Sequence, residues 1–278
     1  MDPKNDVVLV PRADLAVLVV KGADRQSWLN GLVTCDLAKA TAARASYGLA
    51  TTQKGRVLAD VIVVIDPDVL RVVVPADRRD ALKSALEKYL IMEDVELELG
   101  TDVVAIAHGP EWRKLAREGV TVVEYDELGF GGALALGPSL DALDVPRADP
   151  IAWEALRVER GVPRFGVDFD ETTYPQEAAL EKRAVSFDKG CYLGQEVVCM
   201  LELRGHVKRK LARVSIDGTA LPTKGAVVTD DSGAEVGSLT SAAISLENGQ
   251  IVGLAMLKLA KTEPGTSLHI GPTTVHVR

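Results

Sequence analysis

The chain has 278 residues, too many for one small core and enough for one large domain or two to three modest ones. A formal net charge of −8 argues against nonspecific binding to nucleic acid or to an anionic membrane surface. Its three cysteines form no CxxC pair, which indicates a reducing compartment without a structural disulfide. Because residues 1–20 also lack a signal peptide or a long apolar span, we expect a cytoplasmic protein without a membrane segment.

Taken in chain order, the first 160 residues alternate irregularly between strand and helix patterns. The predicted strands are 15–20, 57–65, 69–74, 95–99, 103–107 and 120–125, and the predicted helices are 24–32, 77–90, 110–117 and 150–160. Asp24 is placed to cap the first helix, and Gly161 stands where the last one ends. This order is typical of an α+β fold with split β-α-β units and differs from the strict rhythm of a doubly wound sheet.

The sequence after His206 contains no helical pattern. Short β runs occupy 211–216, 226–229, 235–240, 250–259 and 273–277, with turns rich in Asp and Gly between them. Such a pattern predicts a small barrel or sandwich.

One segment, AVSFDKGCYLGQE at 184–196, combines residue types that chemistry uses. Cys191 lies between Gly190 and Gly194, and Lys189 precedes it by two positions. A nearby ammonium favours the reactive thiolate, and the glycines permit positive φ or close approach to a ligand. Spacing typical of a strand predicts that Val185 and Phe187 point inward. The alternative is a structural cysteine buried in a turn.

The KGCYLGQE stretch resembles the signature of the YgfZ-type folate-binding proteins, which are relatives of the glycine cleavage aminomethyltransferase, the T-protein. Four further stretches resemble that family in the same order: KGADRQSWLNGLVTCDL (21–37), TTQKGRVLADVIVV (51–64), RVERGVPRFGVDFDETTYPQEAAL (157–180) and GAEVGSLTSA (233–242). The resemblance therefore extends over nearly the whole chain.

This resemblance implies a fold and a function. The fold would be α+β, with a T-protein-like folate-binding body of two intertwined lobes at 1–204 and a C-terminal antiparallel β-barrel at 205–278, around a central cavity. The function would be that of a tetrahydrofolate-binding accessory protein for the assembly or repair of iron–sulfur enzymes, such as radical tRNA-modifying proteins. Its partners would be iron–sulfur enzymes or cluster-assembly proteins, without direct contact to nucleic acid or membrane.

The resemblance also implies site residues. Cys191 would be the reactive thiol, and Lys189 would lower its pKa; the thiolate would then act as a nucleophile or as an iron ligand. Trp153, Gln176, Asp60 and Arg157 are the predicted folate-binding residues, with a core position as the alternative for Trp153. No resident metal is predicted, because a single cysteine cannot hold a cluster alone.

The chain also departs from the family pattern. Ala59 replaces the first of two adjacent T-protein carboxylates, and residues 129–136 replace a Gly-Tyr-Thr-Gly-Glu stretch whose glutamate binds the pterin. Leu15 and Met200 stand where relatives have a tryptophan and an arginine. Two other functions therefore stay open: a folate-dependent aminomethyl or methyl transferase that relies on Asp60, and a non-catalytic scaffold for iron–sulfur proteins.

Four further features have weaker patterns. Cys199 is either a resolving thiol for Cys191 or a packed side chain, and His206 either activates Cys191 or begins the first barrel strand. The other histidines, His108, His269 and His276, have no metal-ligand spacing. The basic run between Arg204 and Arg213 suits either an acidic folate tail or a solvated strand face.

Overall fold

The computed structural model describes residues 6–205 and 207–278. Contacts divide the chain into two compact units that interleave along the sequence. Unit 1 contains the residues up to Ala148 together with Lys182–Glu196, and unit 2 contains Asp149–Glu181 and Val197–Arg278. The predicted domain division into 1–204 and 205–278 stays a prediction.

Most of the secondary-structure elements are short strands. The strands are β1 (Val8–Pro11), β2 (Leu15–Lys21), β3 (Ser46–Thr51), β4 (Val57–Ile65), β5 (Leu70–Pro75), β6 (Glu96–Leu99), β7 (Val103–His108), β8 (Thr121–Glu124), β9 (Gly132–Gly137), β10 (Arg209–Ile216), β11 (Val227–Thr229), β12 (Glu235–Ile244), β13 (Ile251–Lys258), β14 (Ser267–Ile270) and β15 (Thr273–Val277). The α-helices are α1 (Arg25–Asn30), α2 (Arg79–Glu87), α3 (Pro150–Arg160), α4 (Glu181–Ala184) and α5 (Gln195–Arg204). None of the helices in the described part of the chain has the length and apolarity needed to cross a membrane.

Unit 1 is built on two antiparallel sheets, one of order β1-β7-β9-β8 and one of order β3-β4-β5-β2-β6. Because side chains alternate along a strand, β4 contributes to two cores. Ile62 and Val64 join a core shared with the other sheet, whereas Val61 and Val63 pack with side chains of α1 and α2. Asp60 lies on the β4 face of Ile62, so the alternation directs its carboxylate towards the space between the sheets.

The strand predictions of unit 1 are largely confirmed, including the hairpin of β4 and β5. Strands β1, β3 and β9 were not predicted. Residues 110–117 form only a short 3-10 turn at Trp112–Leu115 instead of the predicted helix. The predicted cap of α1 is also wrong: the carboxylate of Asp24 accepts the N–H of Asp94 at 2.9 Å rather than one of its own helix.

Unit 2 contains α3, most of α5 and a closed barrel of order β10-β13-β12-β11-β14-β15. Asp149 caps α3 by accepting the N–H of Ile151 at 2.9 Å, and Gly161 ends the helix at φ +73°, as predicted. Ala155 and Val158 of α3 pack against apolar side chains of β10 and β13. The α+β class and the C-terminal antiparallel barrel are thereby confirmed, whereas β14 and α5 were not predicted.

Candidate functional site

Residues 185–194, which we call the cysteine loop, follow α4 without forming a strand. The predicted inward position of Phe187 is therefore wrong, since its side chain is 37% exposed on an irregular backbone. Cys191 is also exposed, while the other two cysteines are buried or half-buried. The loop thus presents its thiol to solvent, unlike a structural cysteine buried in a turn.

Lys189 is a member of this loop, and its side chain is buried, with 8% of its surface exposed. Its Nζ donates to the carbonyl oxygens of Asn30, Val33 and Cys35 at 2.6, 2.8 and 2.6 Å. An ammonium has three donors, so these bonds use all of them. Burial lowers the pKa of Lys189, against the opposing effects of Cys35 and Asp36. The predicted effect of Lys189 on the pKa of Cys191 stays a prediction.

Two buried threonines attach the rest of this segment to unit 1. The hydroxyl of Thr34 donates to the carbonyl of Ala184 at 2.6 Å, and the carbonyl of Thr34 accepts the N–H of Ser186 at 2.9 Å. The hydroxyl of Thr51 donates to the carbonyl of Leu193 at 2.5 Å. The backbone is therefore held on both sides of Cys191.

The two glycines that flank Cys191 play different parts. Gly194 has φ +83°, and a Cβ there would stand 2.4 Å from the carbonyl oxygen of Thr52. Gly194 therefore matches the expectation of positive φ and close approach. Gly190 does not match it, because a Cβ there would meet no described atom within 4 Å.

The partly buried side chain of Asp60 forms a second polar site in unit 1. The hydroxyl of Tyr47 donates to its Oδ2 at 3.2 Å, whereas its Oδ1 is buried without a hydrogen-bond partner among the described residues. Burial raises the pKa of Asp60 to about 6, although the Tyr47 hydrogen bond and the charge of Arg12 act in the opposite direction. A carboxyl group with that pKa changes its proton occupancy close to neutrality.

Charged side chains from distant parts of the chain surround Asp60. The guanidinium carbon of Arg183 lies 5.1 Å from the centre of the Tyr47 ring. Glu127 lies 3.8 Å from Nη1 of Arg12 and 3.9 Å from Nε2 of the buried His108. Burial lowers the pKa of His108, which favours its neutral form. Apart from Asp60, none of these residues was predicted, and no spacing in the sequence unites them.

In unit 2, Arg157 is the most deeply buried predicted residue, with no exposed surface. Its Nη1 donates to Asp168 at 2.8 Å and to the carbonyl of Val162 at 3.1 Å. Its Nη2 donates to the hydroxyl of Ser241 at 2.8 Å, and both Nε and Nη2 donate to the carboxylate of Glu154. All five guanidinium donors are in use. These contacts do not support a folate-binding role, which stays a prediction.

The other two predicted folate residues of unit 2 are also buried. Trp153 is 7% exposed, which suits the core alternative. Gln176 is 5% exposed, and its Nε2 donates to the carbonyl of Val198 at 2.8 Å. Its Oε1 is buried without a hydrogen-bond partner in the described part of the chain, so it remains an available acceptor.

The weaker sequence features give a mixed outcome. Burial raises the pKa of the half-buried Cys199 thiol, and the charge of Glu202 acts in the same direction. His206 lies outside the described residues, and β10 begins at Arg209. Two members of the basic run form ion pairs within unit 2: Arg209 with Glu177 at 3.3 Å and Lys210 with Glu181 at 2.7 Å.

Known proteins share both sequence and fold with this chain. Residues 209–278 match the family model of the glycine cleavage T-protein C-terminal barrel domain. The chain is 25% identical over 291 residues to an aminomethyltransferase of Chlorobium luteolum, covering 90% of this chain and 79% of that protein. It is 26% identical over 230 residues to the tRNA-modifying protein YgfZ of Sodalis glossinidius, covering 74% of this chain and 70% of that protein.

Among solved structures, the crystal structure of glycine cleavage system aminomethyltransferase T from Bartonella henselae matches with a TM-score of 0.85. The match covers 99% of this chain and 85% of that one at 17% identity, so it bears on the fold alone. It confirms the predicted T-protein-like fold.

Proposed function

Because this chain belongs to the YgfZ/GcvT-like family, we propose that it is a tetrahydrofolate-binding accessory protein that acts through Cys191 in the assembly or repair of iron–sulfur enzymes. The folate part is supported by similarity to aminomethyltransferases and to the tRNA-modifying protein YgfZ over most of the chain. The observation that carries the thiol part is the exposed Cys191 on a loop attached at both of its sides. We place this activity in the cytoplasm.

A buried carboxylate of unit 1 can meet one chemical requirement of tetrahydrofolate. Its pterin ring carries N–H donors, and a buried site must supply acceptors for them. Asp60 Oδ1 of unit 1 is such a buried acceptor, without a donor among the described residues. It would hold the pterin, and bound tetrahydrofolate would supply a carrier of one-carbon groups. Arg157 would contribute to the fold instead.

The thiol would meet an iron–sulfur partner at the surface of the protein. Cys191 is exposed, so a client's cluster or disulfide can reach it without unfolding of unit 1. A thiolate binds iron or attacks sulfur, but one cysteine supplies only one ligand of a cluster. The client or a small thiol would supply the remaining ligands.

The deciding experiment is calorimetric titration with tetrahydrofolate under anaerobic, reducing conditions. Wild type and Cys191→Ser should bind with equal affinity, and Asp60→Asn should bind about tenfold more weakly, because a charged acceptor becomes neutral. The same three proteins are then tested for restoring the activity of an iron–sulfur enzyme in cells that lack this protein. Absence of binding to wild type would remove folate from the proposal, and full restoration by Cys191→Ser would remove the thiol.

One observation favours a second candidate, a folate-dependent aminomethyl or methyl transferase. Asp60, with a pKa of about 6, suits proton transfer near neutrality. Against it, Ala59 replaces the neighbouring carboxylate. Turnover of a methylamine donor with tetrahydrofolate would establish the transferase, and its loss in Asp60→Asn would assign the residue. A scaffold without chemistry would instead keep full function in Cys191→Ala.

A further inference from the structure

The contacts of Lys189 indicate a role other than that of a positive charge beside the Cys191 thiol. We propose that Lys189 is a positioning residue: its ammonium binds three carbonyls of residues 30–35 and thereby holds the backbone that presents Cys191. This inference rests on the proposed function of Cys191. It assigns Lys189 to mechanical support of the loop rather than to activation of the thiol.

The geometry of the three bonds supports a tether. The carbonyls of Asn30, Val33 and Cys35 converge on Nζ within 2.6–2.8 Å, in a place almost closed to solvent. Asn30 is the last residue of α1, where carbonyls lack partners within the helix. Loss of Lys189 would leave these carbonyls without their donor, and buried carbonyls without donors are unfavourable.

The place of Lys189 in the loop explains what the tether holds. Ser186 and Leu193 are attached by backbone hydrogen bonds, to Thr34 and Gly31 respectively. Lys189 lies between these attachments and two residues before Cys191. Gly190 separates Lys189 from Cys191 and has open space around it. The Lys189 tether therefore limits the motion of the backbone in the part of the loop nearest the thiol.

The shape of the side chain separates a tether from a charge. An ammonium is a compact group with three rotatable donors, whereas a guanidinium is a planar fork with five donors in fixed directions. Three converging carbonyls fit the first shape and not the second. Lys189→Arg keeps the charge and loses the fit, while Lys189→Met loses both. A tether predicts that both variants fail, and a charge effect predicts that Arg succeeds.

The test compares hydrogen–deuterium exchange in wild type, Lys189→Arg, Lys189→Met and the control Lys182→Met, which changes an exposed lysine on α4. Amides of residues 185–194 should exchange about tenfold faster in both Lys189 variants, with β4 and β5 unchanged and the control equal to wild type. Wild-type exchange of the loop in either Lys189 variant would overturn the proposal. Faster exchange in β4 and β5 as well would also overturn it, because Lys189 would then hold the whole unit.

A second measurement follows the alkylation rate of Cys191 against pH, resolved from the other thiols by mass spectrometry. In a positioning role, the pH of half-maximal rate is the same in wild type and both variants. A shift of that pH in Lys189→Met that is reversed in Lys189→Arg would overturn the proposal in favour of a charge effect. Neither measurement needs folate or a client enzyme, so failure here is distinct from failure of the proposed function.

Discussion

Two buried cations, one in each unit, are satisfied in opposite ways. Arg157 of unit 2 binds two carboxylates, those of Glu154 and Asp168, and these raise its pKa although burial acts against them. Lys189 of unit 1 binds three neutral carbonyls, and its pKa is lowered by burial. Carboxylates therefore outweigh the effect of burial on the pKa of Arg157, whereas the charges near Lys189 do not outweigh the effect of its burial.

The difference shows what each cation connects. Arg157 joins α3 to the barrel through Ser241 of β12, so it links two elements of a rigid core. Lys189 joins a loop to the turn after α1 and stands beside an exposed thiol. Both residues belong to sequence stretches that suggested chemistry, yet both make contacts typical of structural supports. Only the support under the cysteine loop lies next to a group that a partner can reach.

The largest loss of stability is expected on removal of Arg157, the cation that binds carboxylates. Arg157→Met leaves the charge of Asp168 buried without its partner, which should lower the free energy of unfolding by about 3–5 kcal/mol. Urea denaturation measures it. The matched control is Arg164→Met, since Arg164 is half-buried and lies 3.5 Å from Glu154. A loss below about 1 kcal/mol is expected there, and equal losses in both variants would contradict the special role of Arg157.

A buried group of the opposite sign sharpens the comparison. Asp60 has its pKa raised from 3.8 to about 6, so the folded state holds its proton more tightly than the unfolded state. Stability from this group is complete below the lower value, falls as pH rises between the two values, and is lost above about 6. The total change is about 3 kcal/mol, from two pKa units or slightly more.

The variant Asp60→Asn tests this pH dependence because its amide does not titrate. Relative to wild type it should gain unfolding free energy between about pH 4 and pH 6 and then keep that advantage at higher pH. Denaturant titrations at several pH values measure the difference. A difference that is the same at every pH would show that Asp60 has no raised pKa in the folded state.

A smaller loss of stability is expected from a substitution in the cysteine loop. Gly194→Ala forces an alanine to positive φ and places its Cβ against the carbonyl of Thr52, which should cost about 2 kcal/mol. Gly190→Ala is the matched control and should change stability by less than about 0.5 kcal/mol, since a Cβ there has open space. Thermal denaturation compares the two variants. If Gly190→Ala were the more destabilising one, the described backbone of the cysteine loop would be wrong.

Much of the fold could be predicted because its signals are local. The apolar runs of β2, β4 and β5 and the two ends of α3 need only neighbouring residues to be recognised. Strand β9 was missed because GALALG has no β-branched or aromatic residue, although all six residues are buried. Helix α5 was missed because Val198 is its only buried residue in the described chain, so no apolar face is visible.

The candidate site was less predictable, because its contacts join residues that are far apart in sequence. Lys189 reaches carbonyls more than 150 positions earlier, and no spacing rule relates the two segments. The neighbours of Asp60 likewise come from positions as distant as Arg12 and Arg183. The closeness of Lys189 and Cys191 in sequence suggested an electrostatic effect. In the fold, the ammonium of Lys189 instead donates to backbone carbonyls.

The attachment of residues 182–196 to unit 1 also sets an order of events during synthesis. Residues up to Ala148 emerge from the ribosome first, and the segment that completes unit 1 follows only after 149–181. Contacts so distant in sequence form late, because a long loop must close first. A nascent chain that stops before Lys189 lacks both the tether and the thiol. Cys191 is therefore displayed only on chains that have almost finished unit 1, and shorter products lack this exposed thiol.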